Sequence, residues 1–156
     1  MLFASGDQTV FTDCSRIFKS FAKKYYYLGE FGNGTKMKLI ANLLVAIHNV
    51  ASAEAVILAK NSGLDMEQFF RVISSSPCSS KIFELRAPLM IGNTYEPATM
   101  KLDVWQKDMK LIREFADNTE SPVPLFATTE PLYQAAIDAN LGQQDTAAVC
   151  SVLQTN

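Results

Sequence analysis

One stretch of the chain is unusually apolar and predicts a long helix. Between residues 39 and 59 the polar positions are Asn42, His48, Asn49, Ser52 and Glu54. A helix over 35–62 fits this stretch, with Gly63 placed to end it. A helix that is apolar nearly all round is typical of a protein interior, so we expect this one to be buried.

The residues before this helix combine two short apolar runs with one helical stripe. Residues 2–4 form a short apolar run that ends before a Gly-Asp pair. Over residues 9–23 apolar side chains recur at helical spacing, with basic residues outside the stripe. Residues 25–28 are aromatic and β-prone, and Gly29 bounds them. The pattern predicts a strand–helix–strand unit, too small for a sheet of its own and typical of the edge of a larger one.

Beyond Gly63 every pattern is helical. Asp65 is placed to cap a short amphipathic helix that reaches residue 73, and a loop follows over 74–80. Further helices are predicted over about 81–90, 100–117, 125–140 and 145–153. The fold class is therefore mainly all-α, preceded by the strand–helix–strand unit.

Composition and charge narrow the function classes. The 156 residues carry a formal net charge of −2, and 48% of them are hydrophobic, as in an ordinary globular domain. No basic block is present, which argues against nucleic acid as a partner. The polar interruptions of the long helix argue against a membrane span, and the first residues lack the basic region of a signal peptide. We expect a cytoplasmic protein.

The cysteines and the histidine give no metal-binding pattern. Cys14, Cys78 and Cys150 are widely spaced, and His48 is the one histidine. Because zinc sites need clustered ligands, no bound metal is expected. The three thiols are expected to be reduced, as is usual in the cytoplasm. His48 has no carboxylate placed to orient it, so a packing role is favoured over a chemical one.

The candidate chemistry starts at Lys38. Residues four apart share a helix face, so Lys38 and Asn42 present an ammonium and an amide side by side. Asn49 and Ser52 fall within about 80° of this pair on a helical wheel. A polar group on a buried helix needs a partner, and a substrate is one candidate. The alternative is that Lys38 reaches solvent while neighbouring helices satisfy the asparagines.

Two further motifs also have ordinary explanations. The pattern G-x-x-G-x-G over 29–34 lies between a strand and a helix, but its order is the reverse of the dinucleotide fingerprint. Its glycines still permit an anion to approach the start of the helix closely. Lys107 and Asp108 form the second motif. Asp103, four residues before Lys107, offers a surface ion pair as the ordinary explanation of that lysine.

Together the lysine motifs resemble those of the β-hydroxyacid dehydrogenases, the family of 3-hydroxyisobutyrate dehydrogenase and the glyoxylate/succinic semialdehyde reductases. G-x-G-x-x-x-K-x-x-x-N over 32–42 resembles the family's catalytic signature, and K-D-M over 107–109 resembles its later lysine motif. Residues 142–148 resemble its C-terminal segment. The resemblance covers essentially the whole chain and implies a helical domain similar to the C-terminal domain of 6-phosphogluconate dehydrogenase.

The resemblance also implies a role for each position. Lys38 would be the general acid that protonates a carbonyl oxygen as hydride arrives from NAD or NADP, or the base in the reverse direction. Asn42 would bind the substrate and orient Lys38, and Lys107 would line the cofactor side of the cleft. The substrate, a short hydroxy acid or its semialdehyde or keto acid, would also contact Gly34, Met100 and Asp108. Met100 replaces a phenylalanine that the reductases tend to carry.

The family's nucleotide-binding half is not found in this sequence. Residues 1–31 resemble the closing strand, helix and strand of a Rossmann domain, and residues 32–156 resemble the substrate-side and oligomerisation domain. A cofactor bound across a sheet crevice needs more than one sheet edge, so we expect a fragment or a truncated product. The resemblance also implies a homodimer or tetramer formed through helix 35–62.

Two alternatives stay open. The chain is a non-catalytic oligomerisation module in the first, with Lys38 and Asn42 inherited but idle. In the second it is an unrelated helical binding protein whose motif arose by chance, and substitution of Lys38 then changes stability only as a surface substitution does.

Overall fold

The computed structural model describes residues 1–154, which fall into two compact units. The first unit is Met1–Asn42, and the second begins at Leu43. This division falls inside the long helix, and the predicted domain boundary between residues 31 and 32 stays a prediction. Each unit is therefore described by itself.

The elements are mostly helices, which confirms the mainly all-α class. In chain order they are β1 (Leu2–Ala4), α1 (Gln8–Asp13), α2 (Ser15–Phe21), β2 (Tyr25–Tyr27), α3 (Asn33–Asn61), α4 (Met66–Ser74), α5 (Lys81–Gly92), α6 (Leu102–Asn118), α7 (Pro124–Asp138), a 3-10 turn (Thr146–Ala148) and α8 (Val149–Gln154). The one predicted helix at the C-terminus is thus a 3-10 turn followed by a short α-helix.

The first unit contains a parallel pair of strands connected by helices. Strands β1 and β2 pair in register from Leu2 opposite Tyr25 to Ala4 opposite Tyr27. Phe11 packs on this pair, with its ring centroid 5.1 Å from that of Tyr27 and 6.0 Å from that of Tyr25. The Tyr27 hydroxyl donates to the Gly6 carbonyl at 2.7 Å. An aromatic cluster therefore holds the predicted strand–helix–strand unit together.

The prediction of a single helix over residues 9–23 is wrong in one respect. The segment is two helices, α1 and α2, which meet at Cys14. The Cys14 amide still bonds to the Val10 carbonyl, but the Ile17 amide bonds to the Cys14 carbonyl three residues back, in a tightened turn. The apolar period continues across this turn, which is why the hydrophobic pattern alone gives no sign of the break.

Helix α3 ends as the sequence predicts. Gly63 has a positive φ of 74° and follows the last turn. The Leu64 amide then donates to the Ala59 carbonyl, and the Gly63 amide donates to the Lys60 carbonyl. These bonds satisfy carbonyls that the helix leaves free, in a left-handed glycine termination.

The expectation that α3 is buried on nearly all sides is wrong for this chain. One face is packed, since Ala46, Ala53 and Val56 are completely buried. The opposite face leaves large apolar side chains exposed, namely Met37 (40%), Ile40 (49%), Leu44 (48%) and Leu58 (69%). By length and composition α3 could also cross a membrane, but core helices of soluble proteins meet the same criterion. An apolar composition indicates that a helix face is buried, but it does not indicate whether the same chain or another subunit buries it.

The second unit is organised around a buried amide of α3. Asn49 is completely buried, and its Nδ2 donates to the Tyr133 hydroxyl of α7 and to the Thr146 carbonyl, both at 2.9 Å. Tyr133 in turn donates to the Ala46 carbonyl at 3.2 Å. Burial raises the pKa of Tyr133, so the hydroxyl stays protonated and remains a donor. Trp105 of α6 packs against the Tyr133 ring.

We expect Asn49→Ala to destabilise the protein by about 2–4 kcal/mol, because it removes two buried hydrogen bonds and leaves a cavity. The matched control is Asn61→Ala at the exposed end of the same helix, which should change the free energy of unfolding by less than about 0.5 kcal/mol. Urea unfolding followed by circular dichroism measures both. Equal losses in the two variants would contradict the role of Asn49 as the link from α3 to α7.

Candidate functional site

Lys38 and Asn42 lie on one face near the start of α3, within the first unit. Lys38 is exposed, and Asn42 is half-buried. They are four residues apart in a continuous helix, so their Cα atoms lie about 6 Å apart along the helix axis. The start of a helix carries the positive end of its dipole and favours negatively charged groups. This face of α3 can therefore offer a proton donor and an amide to an anionic molecule.

The loop before α3 is shaped by backbone and side-chain contacts. Gly29 and Gly32 have positive φ values of 76° and 93°. Asn33 ties the loop to the helix, since its Nδ2 donates to the Leu28 carbonyl at 2.9 Å and its Oδ1 accepts from Lys36 Nζ at 3.3 Å. The second bond directs the Lys36 side chain towards the loop, away from the position of Lys38 on the helix.

Gly34 is buried against the end of β1. Its amide donates to the Ser5 hydroxyl at 3.0 Å. A Cβ atom at Gly34 would lie 2.8 Å from the Phe3 carbonyl oxygen, closer than carbon and oxygen atoms pack. The absence of a side chain here is therefore explained by the close approach of α3 to β1. Contact of Gly34 with a substrate stays a prediction.

The second lysine motif lies on α6, in the second unit. Lys107 is exposed and Asp108 is buried, with 8% of its surface accessible. The contact described for Asp103 is with another residue than Lys107, since Asp103 Oδ2 accepts a hydrogen bond from Gln143 Nε2 at 2.7 Å. Exposed Lys107 and buried Asp108 thus face different surroundings, as adjacent positions of a half-buried helix do.

Met100 lies in the loop before α6, and a completely buried carboxylate holds this loop. Asp145 Oδ2 accepts from the Thr99 amide at 2.9 Å, from the Thr99 hydroxyl at 2.9 Å and from the Met100 amide at 3.3 Å. It also pairs with Arg86 Nη1 of α5 at 3.2 Å. Asp145 Oδ1 accepts from the Ala147 amide at 3.0 Å.

Asp145 is charged in spite of its burial. Burial on its own would raise the pKa of this carboxyl group. The hydrogen bond from the Ala147 amide, the charge of Arg86 and the bonds from Thr99 act in the opposite direction, and they hold the pKa below its ordinary value of 3.8. The group is therefore an ion at neutral pH with its partners in place.

Other polar residues of α3 have structural roles. Asn49 links α3 to α7, as described above, although the sequence places it near the face of Lys38 and Asn42. Ser52 donates from its hydroxyl to the His48 carbonyl at 2.6 Å, inside the helix itself. Within residues 1–154, histidine, cysteine and acidic side chains form no cluster of three that could hold a metal ion.

Sequence reasoning missed the contacts between Asp145, Arg86 and Thr99. The sequence signal that exists is local, since an aspartate before Thr-Ala-Ala is typical of a helix cap. Arg86 and Asp145 are 59 residues apart in the chain, and neither has a motif that points to the other.

Comparison with known proteins shows a match over most of the chain. Residues 32–153 match the family model described as "NAD-binding of NADP-dependent 3-hydroxyisobutyrate dehydrogenase". The chain is 29% identical over 154 residues to glyoxylate/succinic semialdehyde reductase 2 of Arabidopsis thaliana, and 32% identical over 149 residues to the cytokine-like nuclear factor N-PAC of Anopheles gambiae. The alignments cover 99% and 96% of this chain.

A solved structure agrees with these relatives. The crystal structure of 3-hydroxyisobutyrate dehydrogenase from Salmonella typhimurium superposes with a TM-score of 0.87 at 28% identity, over 95% of this chain and 52% of that one. The chain spans 43% of the length of the Arabidopsis reductase and 26% of the length of the Anopheles protein. The similarity therefore covers nearly all of this chain but only part of each relative.

We expect Gly34→Ala to destabilise the protein by about 1–3 kcal/mol, since the new Cβ overlaps with the Phe3 carbonyl and forces β1 and α3 apart. Gly92→Ala is the control, because its Cβ would meet its nearest neighbour, the Thr94 hydroxyl, at an ordinary 3.6 Å. Thermal unfolding of both variants measures the difference. A Gly34→Ala variant as stable as the control would show that this close approach carries no energy.

Proposed function

The chain belongs to the 3-hydroxyisobutyrate dehydrogenase-like family, and we propose that it is the C-terminal, substrate-side part of an NAD(P)-dependent oxidoreductase. The active enzyme interconverts a short 3-hydroxy or 2-hydroxy acid and its semialdehyde or keto acid. The observation that carries the proposal is the family match over residues 32–153, which includes Lys38 and Asn42 on one face of α3.

Lys38 is the general acid of this proposal. A bound NAD(P)H supplies the hydride, and the protein supplies the proton and the orientation. The Lys38 ammonium gives its proton to the carbonyl oxygen of the substrate as that oxygen gains charge, and the neutral amine takes a proton back from the hydroxyl group in the oxidation direction. Lys38 is an exposed residue near the start of α3.

The other predicted site residues divide into contacts with substrate and with cofactor. Asn42 donates a hydrogen bond to the hydroxyl or carboxylate of the substrate and helps to orient Lys38. Exposed Lys107 contacts the cofactor, where a positive charge suits the anionic groups of NAD(P). Gly34, Met100 and Asp108 complete the substrate contacts.

The residues present fit only part of a dinucleotide site. Residues 1–31 form the last strand, helix and strand of a Rossmann domain in this proposal, and residues 32–156 form the substrate-side domain. The parallel pairing of β1 and β2 supports this assignment, because parallel strands connected through helices are the repeating unit of such domains. The remaining strands of the sheet are contributed by polypeptide outside these 156 residues.

We propose that α3 also forms the contact between subunits of a homodimer or tetramer in the cytoplasm. Its exposed residues Met37, Ile40, Leu44 and Leu58 support this, because apolar side chains spaced along one helix are typical of an interface. The proposal includes no nucleic acid and no membrane as partner.

The second candidate function is a non-catalytic oligomerisation module, and one observation favours it. The Anopheles protein, which is 32% identical to this chain over 149 residues, has the name of a nuclear factor, not of an enzyme. In this case Lys38 and Asn42 keep their positions without acting on a substrate.

The proposed role of Lys38 is tested by Lys38→Met in the active enzyme that contains this chain. Turnover should fall by about 10²-fold or more while the affinity for cofactor stays within about threefold, since only the proton-transfer group is lost. Lys36→Met is the matched control, two residues away on the same helix, and should leave turnover nearly unchanged. Steady-state kinetics measures both, and equal activity of wild type and Lys38→Met excludes this mechanism.

The two candidate functions are separated by binding and assembly of the chain itself. Calorimetry with NADH and NADPH should detect binding if the chain is the substrate-side part of a dehydrogenase that retains cofactor contacts. Sedimentation should show a dimer that Leu44→Lys dissociates and that the control Leu64→Lys, outside α3, leaves intact. A stable dimer that binds neither dinucleotide favours the oligomerisation module, and a dimer that survives Leu44→Lys contradicts the interface on α3.

A further inference from the structure

The loop that carries Met100 is fixed from two directions. The Asp145 carboxylate accepts hydrogen bonds from the amides of Thr99 and Met100. The Met100 carbonyl accepts a hydrogen bond from the amide of Thr146 at 2.9 Å. Both main-chain groups of Met100 are thus bonded to the segment that precedes α8, which leaves the Met100 backbone little freedom to shift.

The same segment also positions the start of α6. The Leu102 amide donates to the Gln144 carbonyl at 3.0 Å, and the Asp145 amide donates to the Tyr95 carbonyl at 3.0 Å. Residues 95–102 are therefore connected to residues 144–146 at both ends. The first turn of α6 follows immediately, and Lys107 and Asp108 lie one turn later on that helix.

Asp145 is itself fixed. It has no exposed surface, and its two oxygens accept from groups on three parts of the second unit, including Arg86 on α5 and the Ala147 amide. Arg86 Nη1 also donates to the Thr99 hydroxyl at 2.6 Å. The arginine therefore contacts both Asp145 and Thr99, which are themselves hydrogen-bonded to each other. A buried ion with these partners keeps one position, because each alternative position leaves a charge unpaired.

We propose that Asp145 is a positioning residue for Met100 and, through it, for substrate selectivity. This inference rests on the proposed function, in which Met100 contacts the substrate. Asp145 touches neither substrate nor cofactor. It sets the place of the Met100 backbone, and the Met100 side chain then limits the size of substrate that fits beside it. Selectivity between a shorter and a longer aldehyde acid is therefore determined jointly by Met100 and by a carboxylate 45 residues away in the chain.

The positioning step is tested without any activity, by hydrogen exchange of the chain. In Asp145→Asn the Thr99 and Met100 amides lose an ionic acceptor, so their exchange should accelerate at least tenfold relative to wild type. Amides of α7 should keep their rates. The control is Asp138→Asn, which removes an exposed carboxylate that accepts from Gln134, and it should leave exchange at Thr99 and Met100 unchanged.

A milder variant covers the case in which Asp145→Asn does not fold. Thr99→Val removes the hydroxyl that donates to Asp145 and accepts from Arg86, and it leaves both groups of the Asp145–Arg86 ion pair in place. It should accelerate exchange of the Met100 amide by a smaller factor, about threefold. Unchanged exchange at Thr99 and Met100 in a folded Asp145→Asn, or at Met100 in Thr99→Val, overturns the positioning role.

The selectivity step is tested in the active enzyme with glyoxylate and succinic semialdehyde as probes. Met100→Ala should change the ratio of the two kcat/KM values, and Asp145→Asn or Thr99→Val should change it in the same direction. Asp145→Asn combined with Met100→Ala should leave the ratio at the value of Met100→Ala alone, since both substitutions act through the Met100 side chain. Independent, additive effects on the ratio overturn the inference. If wild type reduces neither these probes nor any other short aldehyde acid or keto acid, the proposed function fails, and the exchange measurement alone decides the positioning role.

Discussion

The second unit depends on the need of a buried amide for partners. Asn49 lies on the packed face of α3 with no access to water, so its N–H groups must be bonded inside the protein. Tyr133 and the Thr146 carbonyl meet this need, and they belong to α7 and to the turn before α8. Apolar contacts alone permit helices to slide and rotate, whereas this pair of bonds permits one register. One polar residue thus selects how three elements pack.

Helix α3 has two different faces. On the packed face, alanines and Val56 allow close approach of the neighbouring helices around Asn49. On the other face, Leu44 and Leu58 are exposed to solvent in the described part of the chain. A polar residue of this helix is therefore buried while large apolar residues are exposed, which is the reverse of an ordinary surface helix. A second subunit that packs on the exposed apolar face would bury these side chains.

Local signals in the sequence predicted most of the elements, because their causes lie within a few residues. Gly63 ends α3, and Asp65 caps α4 through the Gln68 amide at 2.7 Å. The break at Cys14 was missed because the apolar period continues through it. The partners of Asn49 and Asp145 were missed for another reason. Apart from Ala147, these partners are 45 to 97 residues away in the chain, and a single sequence holds no record of such pairs.

The same difference in range separates the parts of the candidate site. Lys38 and Asn42 need only a continuous helix to share a face, so their relation follows from spacing. Met100 sits in a loop without regular structure, and its place depends on an ion in a segment far along the chain. A motif search finds residues whose relation follows from spacing, such as Lys38 and Asn42, and overlooks residues such as Met100 whose position depends on distant contacts. Proton transfer is therefore the part of the proposed function that the sequence predicts best, and selectivity is the part that depends most on the fold.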